Sequence, residues 1–275
     1  MPKTGILGLV WSRIKGRIHS NVLGLERRLV FDKSDTGGGF FDAYPMFYST
    51  STSGKRNRLN KRYRAIIEAN ESIIQNKSIL DIASHDGRWS LAAHFAGARY
   101  VLGIEAREQL VNQSRATMSR YGIPDGRVDF VLGDVFEELD RLEPGRFDTV
   151  FCLGFFYHTL HHMLLLHKIA RLKPTNLIID TCVDLDPDST IVIQKEEVEN
   201  ETAGAVPDPG NRTHILVGTP TRSALESMLS MSGFSVKYFN WHGAGIKRWD
   251  DLVEYHKGLR VTTVATRIDS KLLQG

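Results

Sequence analysis

Short apolar runs and longer amphipathic stretches alternate along the chain from Lys77 onward. Five runs rich in aliphatic and β-branched residues, each bounded by turn residues or charges, predict β-strands. They lie at Ser78–Ile82, Tyr100–Glu105, Val128–Leu132, Thr149–Leu153 and Leu177–Thr181. Stretches with helical periodicity separate them, at Trp89–Phe95, Glu108–Tyr121, Phe136–Leu142 and Thr159–Leu172. Nearly continuous apolar strands that alternate with helices predict a parallel sheet with helices on both faces.

The alternation stops after the fifth strand and resumes near residue 219. Asp184–Gly218 is polar and acidic, and we predict an insertion or lid there. A helix then begins at Thr221 or Thr219, whose hydroxyls suit an N-cap, and ends at Gly233. Two last strands are predicted at Phe234–Phe239 and Arg260–Arg267. We therefore expect an α/β fold with a doubly wound, mostly parallel, seven-stranded Rossmann-like sheet.

Composition is that of a globular protein with a substantial core. The chain has 275 residues, 41% of them hydrophobic and 24% charged. Its apolar runs are shorter than the roughly 20 residues of a membrane span, and no signal-peptide pattern is evident, so we expect a cytoplasmic protein. Cys152 and Cys182 lie in apolar strands and are predicted to be reduced, buried thiols rather than a disulfide or metal ligands.

The loop after the first strand, "IASHDGRWS", contains a single glycine, Gly87. The N-terminus of the following helix offers amide donors and partial positive charge to an anionic group. A pyrophosphate needs several glycines, because the backbone must approach it closely. Ala83, His85 and Arg88 obstruct that approach, so the loop disfavours a dinucleotide.

Polar residues follow the ends of the next three strands. Glu105 ends the second strand, where an acid accepts hydrogen bonds from both ribose hydroxyls of a nucleoside. Asp134 follows the third strand, where its carboxylate can meet an adenine amino group. The run "FDTVFCLGFFYH" brings Gly154, Tyr157 and His158 to the same edge. These positions favour a nucleoside ligand.

Taken together, these features resemble the class I S-adenosylmethionine-dependent methyltransferases. The resemblance covers about residues 75–268 and rests on Asp81–Gly87, Glu105, Gly133-Asp134, "FDTVFCLG" and the "LKP" turn at Leu172–Pro174. It implies S-adenosylmethionine as cofactor, S-adenosylhomocysteine as product, and a loop that binds the methionine part. His85 stands where the family usually has glycine. The implied cofactor contacts are Asp81, Ala83, Ser84, His85, Gly87, Trp89, Glu105, Ala106, Asp134, Val135, Leu153 and Gly154.

A narrower resemblance concerns the acceptor. The run "FDTVFCLGFFYHTLHHMLLLHKIARLKP", followed by "TPTRSALESMLSMSGFSV", is similar to the enzymes that carboxymethylate wobble uridine in tRNA. It is also similar to related methyltransferases of small molecules and sugars. The Tyr157-His158 pair and the helix start at Pro220–Leu225 carry this similarity. It leaves the acceptor open between RNA and a small molecule.

Methyl transfer to a hydroxyl requires positioning of the reactants and removal of a proton. His158 is the candidate base, because imidazole titrates near neutral pH; orientation of a loop is its alternative role. Tyr157 is expected either to contact cofactor or substrate or to pack in the core. We expect His161 and His162 to be exposed at a helix start and His167 to lie on a mixed face.

Two further side-chain groups have a functional and a structural interpretation. Four aspartates in or after the fifth strand are of the type that holds magnesium in some sugar O-methyltransferases, although a solvated loop is the favoured interpretation. They are Asp180, Asp184, Asp186 and Asp188. Trp89 either covers the cofactor or is simply buried. No metal is predicted.

The N-terminal quarter is basic, with 14 Lys and Arg against 6 Asp and Glu in residues 1–77, in a chain whose net charge is +3. "KRNRLNKRYR", Lys55–Arg64, suits an RNA backbone and a stacked base, but a helix that covers the sheet with its charges in water is favoured. Residues 3–18 form an amphipathic face for a membrane, a second subunit or the catalytic domain. The glycine-rich run "DTGGGFFDAYP" permits a substrate lid.

We divide the chain into a basic N-terminal helical extension with the lid, residues 1–74, and a cofactor-binding catalytic domain, residues 75–275. Three functions are compatible with this organisation. The first is O-methylation of a small-molecule or sugar hydroxyl. The second is methylation or carboxymethylation of tRNA through Lys55–Arg64, and the third is cofactor binding without catalysis.

Overall fold

The computed structural model describes residues 38–49, 55–198 and 213–268. The strands in these ranges are β1 (Ser78–Ile82), β2 (Tyr100–Glu105), β3 (Val128–Leu132), β4 (Thr149–Leu153), β5 (Asn176–Cys182), β6 (Ile191–Glu197), β7 (His214–Pro220), β8 (Phe234–Tyr238) and β9 (Arg260–Arg267). The helices are α1 (Arg56–Ile66), α2 (Arg88–Phe95), α3 (Glu108–Arg120), α4 (Val135–Arg141), α5 (His162–Arg171), α6 (Arg222–Met231) and α7 (Val253–His256). Short 3₁₀ turns occur at Phe40–Ala43, Pro45–Tyr48, Glu68–Ile73, Phe156–His158 and His242–Ala244.

Seven strands form one sheet in the order β3-β2-β1-β4-β5-β9-β8. The pairs among β1 to β5 are parallel, whereas β9 is antiparallel to both of its neighbours, β5 and β8. The predicted α/β fold, with a mostly parallel seven-stranded sheet, is confirmed. Because parallel strands end at a common edge, β1, β2, β4 and β5 bring their following residues together there.

Two apolar clusters fill the layers above and below the sheet. One contains Leu80 and Ile82 of β1 with residues of α4, α5 and α6. The other contains Ile79 of the same strand with residues of α1, α2 and α3. Successive side chains of a strand point to opposite faces, so β1, which is buried along its whole length, supplies both clusters.

Two helix starts can be compared with their predictions from the sequence. The stretch predicted as one helix from Thr159 to Leu172 becomes helical only at His162. The Oγ1 atom of Thr159 accepts a hydrogen bond from the His161 amide at 3.0 Å, and its carbonyl accepts one from the Gly218 amide. Thr221 is confirmed as an N-cap, since its Oγ1 accepts from the Ala224 amide at 3.2 Å.

The insertion predicted at Asp184–Gly218 contains a separate antiparallel hairpin of β6 and β7, in register from Ile191↔Pro220 to Glu197↔His214. Residues 199–212 between these strands lie outside the described residues, as does the amphipathic stretch 3–18. Residues 38–45 of the glycine-rich run are described, and they include the 3₁₀ turn at Phe40–Ala43. In the described part of the chain, no helix combines the length and apolarity needed to cross a membrane.

Helix α1 carries the basic run and packs on the same compact unit as the sheet. The expectation that its charges lie in water is wrong for three residues, because Arg58, Lys61 and Arg62 are buried. The Arg58 guanidinium donates to Glu254 Oε2 at 2.8 Å and to the Asp251 carbonyl at 3.0 Å. Intramolecular contacts therefore occupy part of the positive charge that an RNA surface would require.

Arg62 joins α1 to the carboxyl edge of the sheet. Its Nη2 donates to Oδ1 of Asp180, a fully buried carboxylate in β5, at 3.0 Å. Arg260 Nε donates to the same oxygen at 2.7 Å, and Thr262 Oγ1 and the Tyr255 hydroxyl donate to Oδ2 at 2.6 and 2.9 Å. Burial alone would raise the pKa of Asp180, but the two guanidiniums hold it well below its usual value.

Replacement of Asp180 by Asn leaves two buried guanidiniums without their counter-charge. We expect D180N to lower the free energy of unfolding by about 3–5 kcal/mol at neutral pH, as measured by urea unfolding. D140N is the matched control, because its pair with Lys168 lies at the surface and contributes only about 0–1 kcal/mol.

Acidification tests whether the loss of stability in D180N comes from the missing charge of Asp180 or from the changed side-chain shape. A depressed pKa stabilises the fold above the unfolded-state value of about 4 and loses this contribution as pH falls through the folded-state value. The difference between wild type and D180N should therefore shrink below about pH 4. A difference that stays constant down to pH 2 would exclude the ion pairs as its source.

Candidate active site

Three of the five residues in the loop between β1 and α2 have a left-handed backbone conformation. Ala83, His85 and Gly87 have φ values of 51°, 55° and 75°, all in the left-handed region. Two of these positions carry a side chain, although that region is costly for any residue except glycine. The His85 carbonyl accepts a hydrogen bond from Ser114 Oγ at 3.1 Å, and the amide of His85 donates to Glu105 Oε2 at 3.0 Å. Contacts from outside the loop thus hold a left-handed histidine where the family usually has glycine.

Gly87 is the N-cap of α2 and leaves no space for a side chain. A Cβ atom there would lie 2.9 Å from the Phe130 ring and 3.0 Å from Ser114 Oγ. Beside it, the buried Asp86 accepts from Arg88 Nε at 2.7 Å. Burial would raise the pKa of Asp86, but the charge of Arg88 and its hydrogen bonds lower it far more. Arg88 therefore supports the loop from within.

Asp81 and Glu105 are two further buried acids of this edge. Burial, together with the charges of Asp86 and Glu105, raises the pKa of Asp81 to about 7, against a hydrogen bond of 2.7 Å from Ser90 Oγ. Glu105 accepts from the His85 amide and, through Oε1, from the Arg107 amide at 3.0 Å. The site thus concentrates negative charge where the sequence predicted it.

The remaining predicted cofactor residues differ in their surroundings. Asp134 is exposed, and its Oδ1 caps α4 by accepting from the Phe136 amide at 2.8 Å. Val135 is buried in the core, whereas Ala106, Leu153 and Gly154 are half-buried at the sheet edge. These predicted cofactor residues thus range from fully buried to exposed.

Trp89 and Ser84 are both buried. The Trp89 ring packs edge-on against Phe41, and the Arg62 guanidinium lies 5.0 Å from its centroid. These contacts favour the structural interpretation of Trp89 over a cover for the cofactor. Ser84 Oγ differs, because it is buried and has no hydrogen-bond partner among the described residues.

His158 ends the 3₁₀ turn that follows β4. Its Nδ1 lies 2.7 Å from Oε2 of Glu196, which β6 brings to it from the hairpin. The Tyr157 ring lies 4.1 Å from the His158 ring, and the Tyr157 hydroxyl is 3.5 Å from Nη1 of Arg260. The sequence identified Tyr157 and His158, but it identified neither Glu196 nor Arg260.

The other histidines and the acidic loop are placed as follows. His161 and His167 are exposed, but His162 is buried, against expectation, and its Nε2 donates to the Gly218 carbonyl at 3.1 Å. Burial lowers the pKa of His162. Asp180 is fully buried rather than solvated, and within the described ranges no group of three or more His, Cys, Asp or Glu side chains is arranged to hold a metal.

Both cysteines are unpaired. Cys152 is buried, and burial raises its pKa, as expected for an inert core thiol. Cys182 is half-buried, and its Sγ lies 3.4 Å from Arg260 Nη1. Of the two thiols predicted to be buried, only Cys152 is fully enclosed.

Comparison with known proteins decides the family. A family model described as a methyltransferase domain matches residues 79–174. Residues 79–174 are therefore a methyltransferase domain of the class I S-adenosylmethionine-dependent type. Its cofactor is S-adenosylmethionine, and the methyltransferase domain matched by the model contains all twelve cofactor positions predicted from the sequence.

Two curated relatives show how far the likeness extends. The O-antigen chain terminator bifunctional methyltransferase/kinase WbdD of Escherichia coli is 31% identical over 96 residues, 35% of this chain and 13% of WbdD. The tRNA U34 carboxymethyltransferase of Pseudomonas putida is 30% identical over 167 residues, 59% of this chain and 46% of that protein. This methyltransferase chain therefore spans less than half the length of either relative.

Among solved structures, the N-terminal domain of EvdMO1 with S-adenosylhomocysteine bound has a TM-score of 0.55 at 20% identity, covering 76% of this chain and 80% of that one. The same domain in the presence of S-adenosylhomocysteine and D-fucose has a TM-score of 0.56 at 17% identity, covering 84% and 98%. At these identities the likeness shows a shared methyltransferase fold.

The residues of the edge fit the cofactor chemically. The buried Asp81 carboxylate can pair with a positively charged group. Ser84 Oγ is a buried hydroxyl with no hydrogen-bond partner among the described residues, and Glu105 is a buried hydrogen-bond acceptor. An α-amino group, a carboxylate and ribose hydroxyls are the complementary groups of S-adenosylmethionine. The fit of the methyltransferase loop thus rests on its own side chains.

Gly87→Ala tests whether contacts or backbone handedness limit the loop. Gly122 has a similar φ of 67°, but nothing lies within 4 Å of its Cβ position. We expect G122A to cost about 1–2 kcal/mol of unfolding free energy for the left-handed conformation alone. G87A should cost about 1–3 kcal/mol more, because Phe130 and Ser114 must move. Equal losses in urea unfolding would show that the contacts are unimportant.

Proposed function

We propose that this protein transfers the methyl group of S-adenosylmethionine to a hydroxyl of a small molecule or sugar, with His158 as the base. The observation that carries the proposal is the position of His158 directly after β4, at the same sheet edge as the acids Asp81 and Glu105. An imidazole held at that edge is suited to remove the acceptor proton. The likeness to the EvdMO1 domain solved in the presence of D-fucose also favours a sugar acceptor.

We assign cofactor binding to the loop and the two strand-end acids. Asp81 would bind the amino group of the methionine part, and Glu105 the ribose hydroxyls. Asp134 would meet the adenine amino group from the exposed start of α4. Bound there, S-adenosylmethionine supplies an electrophilic methyl group, while the chain supplies orientation and a proton acceptor.

The second candidate, a tRNA-modifying enzyme, is favoured by the likeness to the Pseudomonas putida carboxymethyltransferase. Its predicted binding segment, Lys55–Arg64, is partly occupied by internal ion pairs. Lys55, Arg56 and Arg64 are the exposed basic members, although each has an acidic partner, in Asp251, Asp42 and Glu68 respectively. If K55A/R56A/R64A leaves tRNA binding and its salt dependence unchanged, this segment is not an RNA site.

Asp81 should make cofactor affinity depend on pH. A carboxyl with a pKa of about 7 is partly protonated at neutral pH and must ionise to pair with an ammonium group. Affinity for S-adenosylhomocysteine, measured calorimetrically, should fall by up to about tenfold per pH unit below pH 7. It should level off above about pH 8. D81N should bind more weakly with no such dependence, and an identical pH profile in D81N would contradict the assignment.

His158→Ala and Glu105→Ala should separate catalysis from cofactor binding. Over a panel of sugar and small-molecule hydroxyl acceptors, H158A should lower the rate of S-adenosylhomocysteine release about 10²–10⁴-fold and leave its binding unchanged. E105A should weaken binding about 10–100-fold, because hydrogen bonds to a charged acceptor are lost. E108A, an exposed acid three residues further along, is the control for E105A.

The outcomes distinguish the candidate functions. Full activity in H158A would exclude His158 as an essential base. Wild-type binding of S-adenosylhomocysteine without turnover of any hydroxyl or tRNA acceptor would instead favour a cofactor-binding module.

A further inference from the structure

The hairpin of β6 and β7 brings an acidic side chain to His158 at the edge of the sheet. Glu196, near the end of β6, places Oε2 2.7 Å from Nδ1 of His158. The two side chains are 19% and 21% exposed, so the pair is largely shielded from solvent. An imidazole and a carboxylate at this distance form a charge-assisted hydrogen bond whenever the ring carries a proton on that nitrogen.

The hairpin is seated firmly on the segment that bears His158. The Gly218 amide of β7 donates to the Thr159 carbonyl at 3.2 Å, and the Gly218 carbonyl accepts from His162 Nε2 at 3.1 Å. A Cβ atom at Gly218 would lie 2.8 Å from His162 Cε1 and 3.0 Å from Leu160 Cδ2. Glycine is thus what permits this close approach. Because β6 is paired with β7, the position of Glu196 is tied to the segment that directly follows His158.

We propose that Glu196 is a positioning residue for His158 and that β6 is part of the catalytic machinery. This inference rests on the proposed O-methyltransferase function. The carboxylate holds the imidazole as the tautomer with its proton on Nδ1, which leaves the lone pair of Nε2 as the proton acceptor. It also stabilises the imidazolium that forms when the acceptor proton is taken up.

Methyl transfer breaks one bond to the methyl carbon, forms another, and moves one proton. The acceptor oxygen forms a bond to the methyl carbon while the bond between that carbon and sulfur breaks. The acceptor hydroxyl proton passes to Nε2 of His158, and the proton on Nδ1 stays with the ring, facing Glu196. Proton release to water then restores neutral His158. Glu196 neither gains nor loses a proton in this sequence.

Kinetics of Glu196→Gln test the proposal with the acceptor found in the hydroxyl panel. E196Q retains the shape of the side chain and removes its charge. We expect kcat to fall about 10–100-fold while KM and S-adenosylhomocysteine affinity change less than about twofold, because the group acts through the base. E197Q is the matched control: Glu197 is the next residue of β6, is exposed and points to the opposite face of the strand. It should retain wild-type kinetics.

The double variant H158A/E196Q distinguishes positioning from an independent effect. If Glu196 acts only through His158, the double variant should be as slow as H158A alone. A further tenfold loss in the double variant would overturn the proposal. Loss of activity in H158A with wild-type kcat in E196Q would overturn this inference and leave the proposed base intact, whereas full activity in H158A would overturn both.

Nuclear magnetic resonance supplies a readout that needs no acceptor. In protein labelled with ¹⁵N-histidine and saturated with S-adenosylhomocysteine, the His158 signals can be assigned by their absence in H158A. Under alkaline conditions, where the ring is neutral, we expect the proton on Nδ1 in wild type and E197Q. Glu196→Leu, which removes the acceptor, should shift the ring toward the Nε2-protonated form. A wild-type ring protonated on Nε2 would overturn the proposal.

Discussion

The buried carboxylate of Asp180 is the constraint on which the assembly of the carboxyl edge of the sheet depends. An isolated charge in a protein interior is costly, and its free energy is recovered only if counter-charges and hydrogen bonds surround it. Asp180 obtains them from distant parts of the chain, namely Arg62 of α1, Tyr255 of α7, and Arg260 and Thr262 of β9. Satisfying one carboxylate therefore fixes the N-terminal helix and the start of the antiparallel strand against the parallel part of the sheet.

This constraint also explains why half of the basic residues in a run that suits an RNA surface are buried. Charge composition records how many cations a segment carries but not which acids lie opposite them in the fold. Arg58 and Arg62 are separated by one helical turn and both face the domain, where Glu254 and Asp180 lie. Their acidic partners are 118 or more positions away in sequence. Patterns within the segment alone could not reveal these pairs.

The sheet, by contrast, was predictable because its strands are defined locally. The apolar runs of β1 to β4 are bounded by turn residues, and their limits follow from sequence to the residue. The hairpin of β6 and β7 was not predicted, because it forms a sheet of its own and its strands alternate polar and apolar residues weakly. Glu196 was missed for this reason: its role depends on a contact across 38 positions of the chain. His85 illustrates a third case, since residue type alone gave no indication that Ser114 and Glu105 would hold it in the left-handed conformation.

The division between local and distant determinants also divides the two parts of this sheet edge. Asp81, Glu105 and the loop between them lie within residues 79–174, the segment that matches the methyltransferase domain. The side chains and amides that contact these two acids come from the same segment. Glu196 and Arg260, which contact His158 and Tyr157, lie outside it. A relative that shares only the matched domain can therefore keep the surroundings of the two acids, whereas the surroundings of Tyr157 and His158 are built by the hairpin and β9, which it need not share.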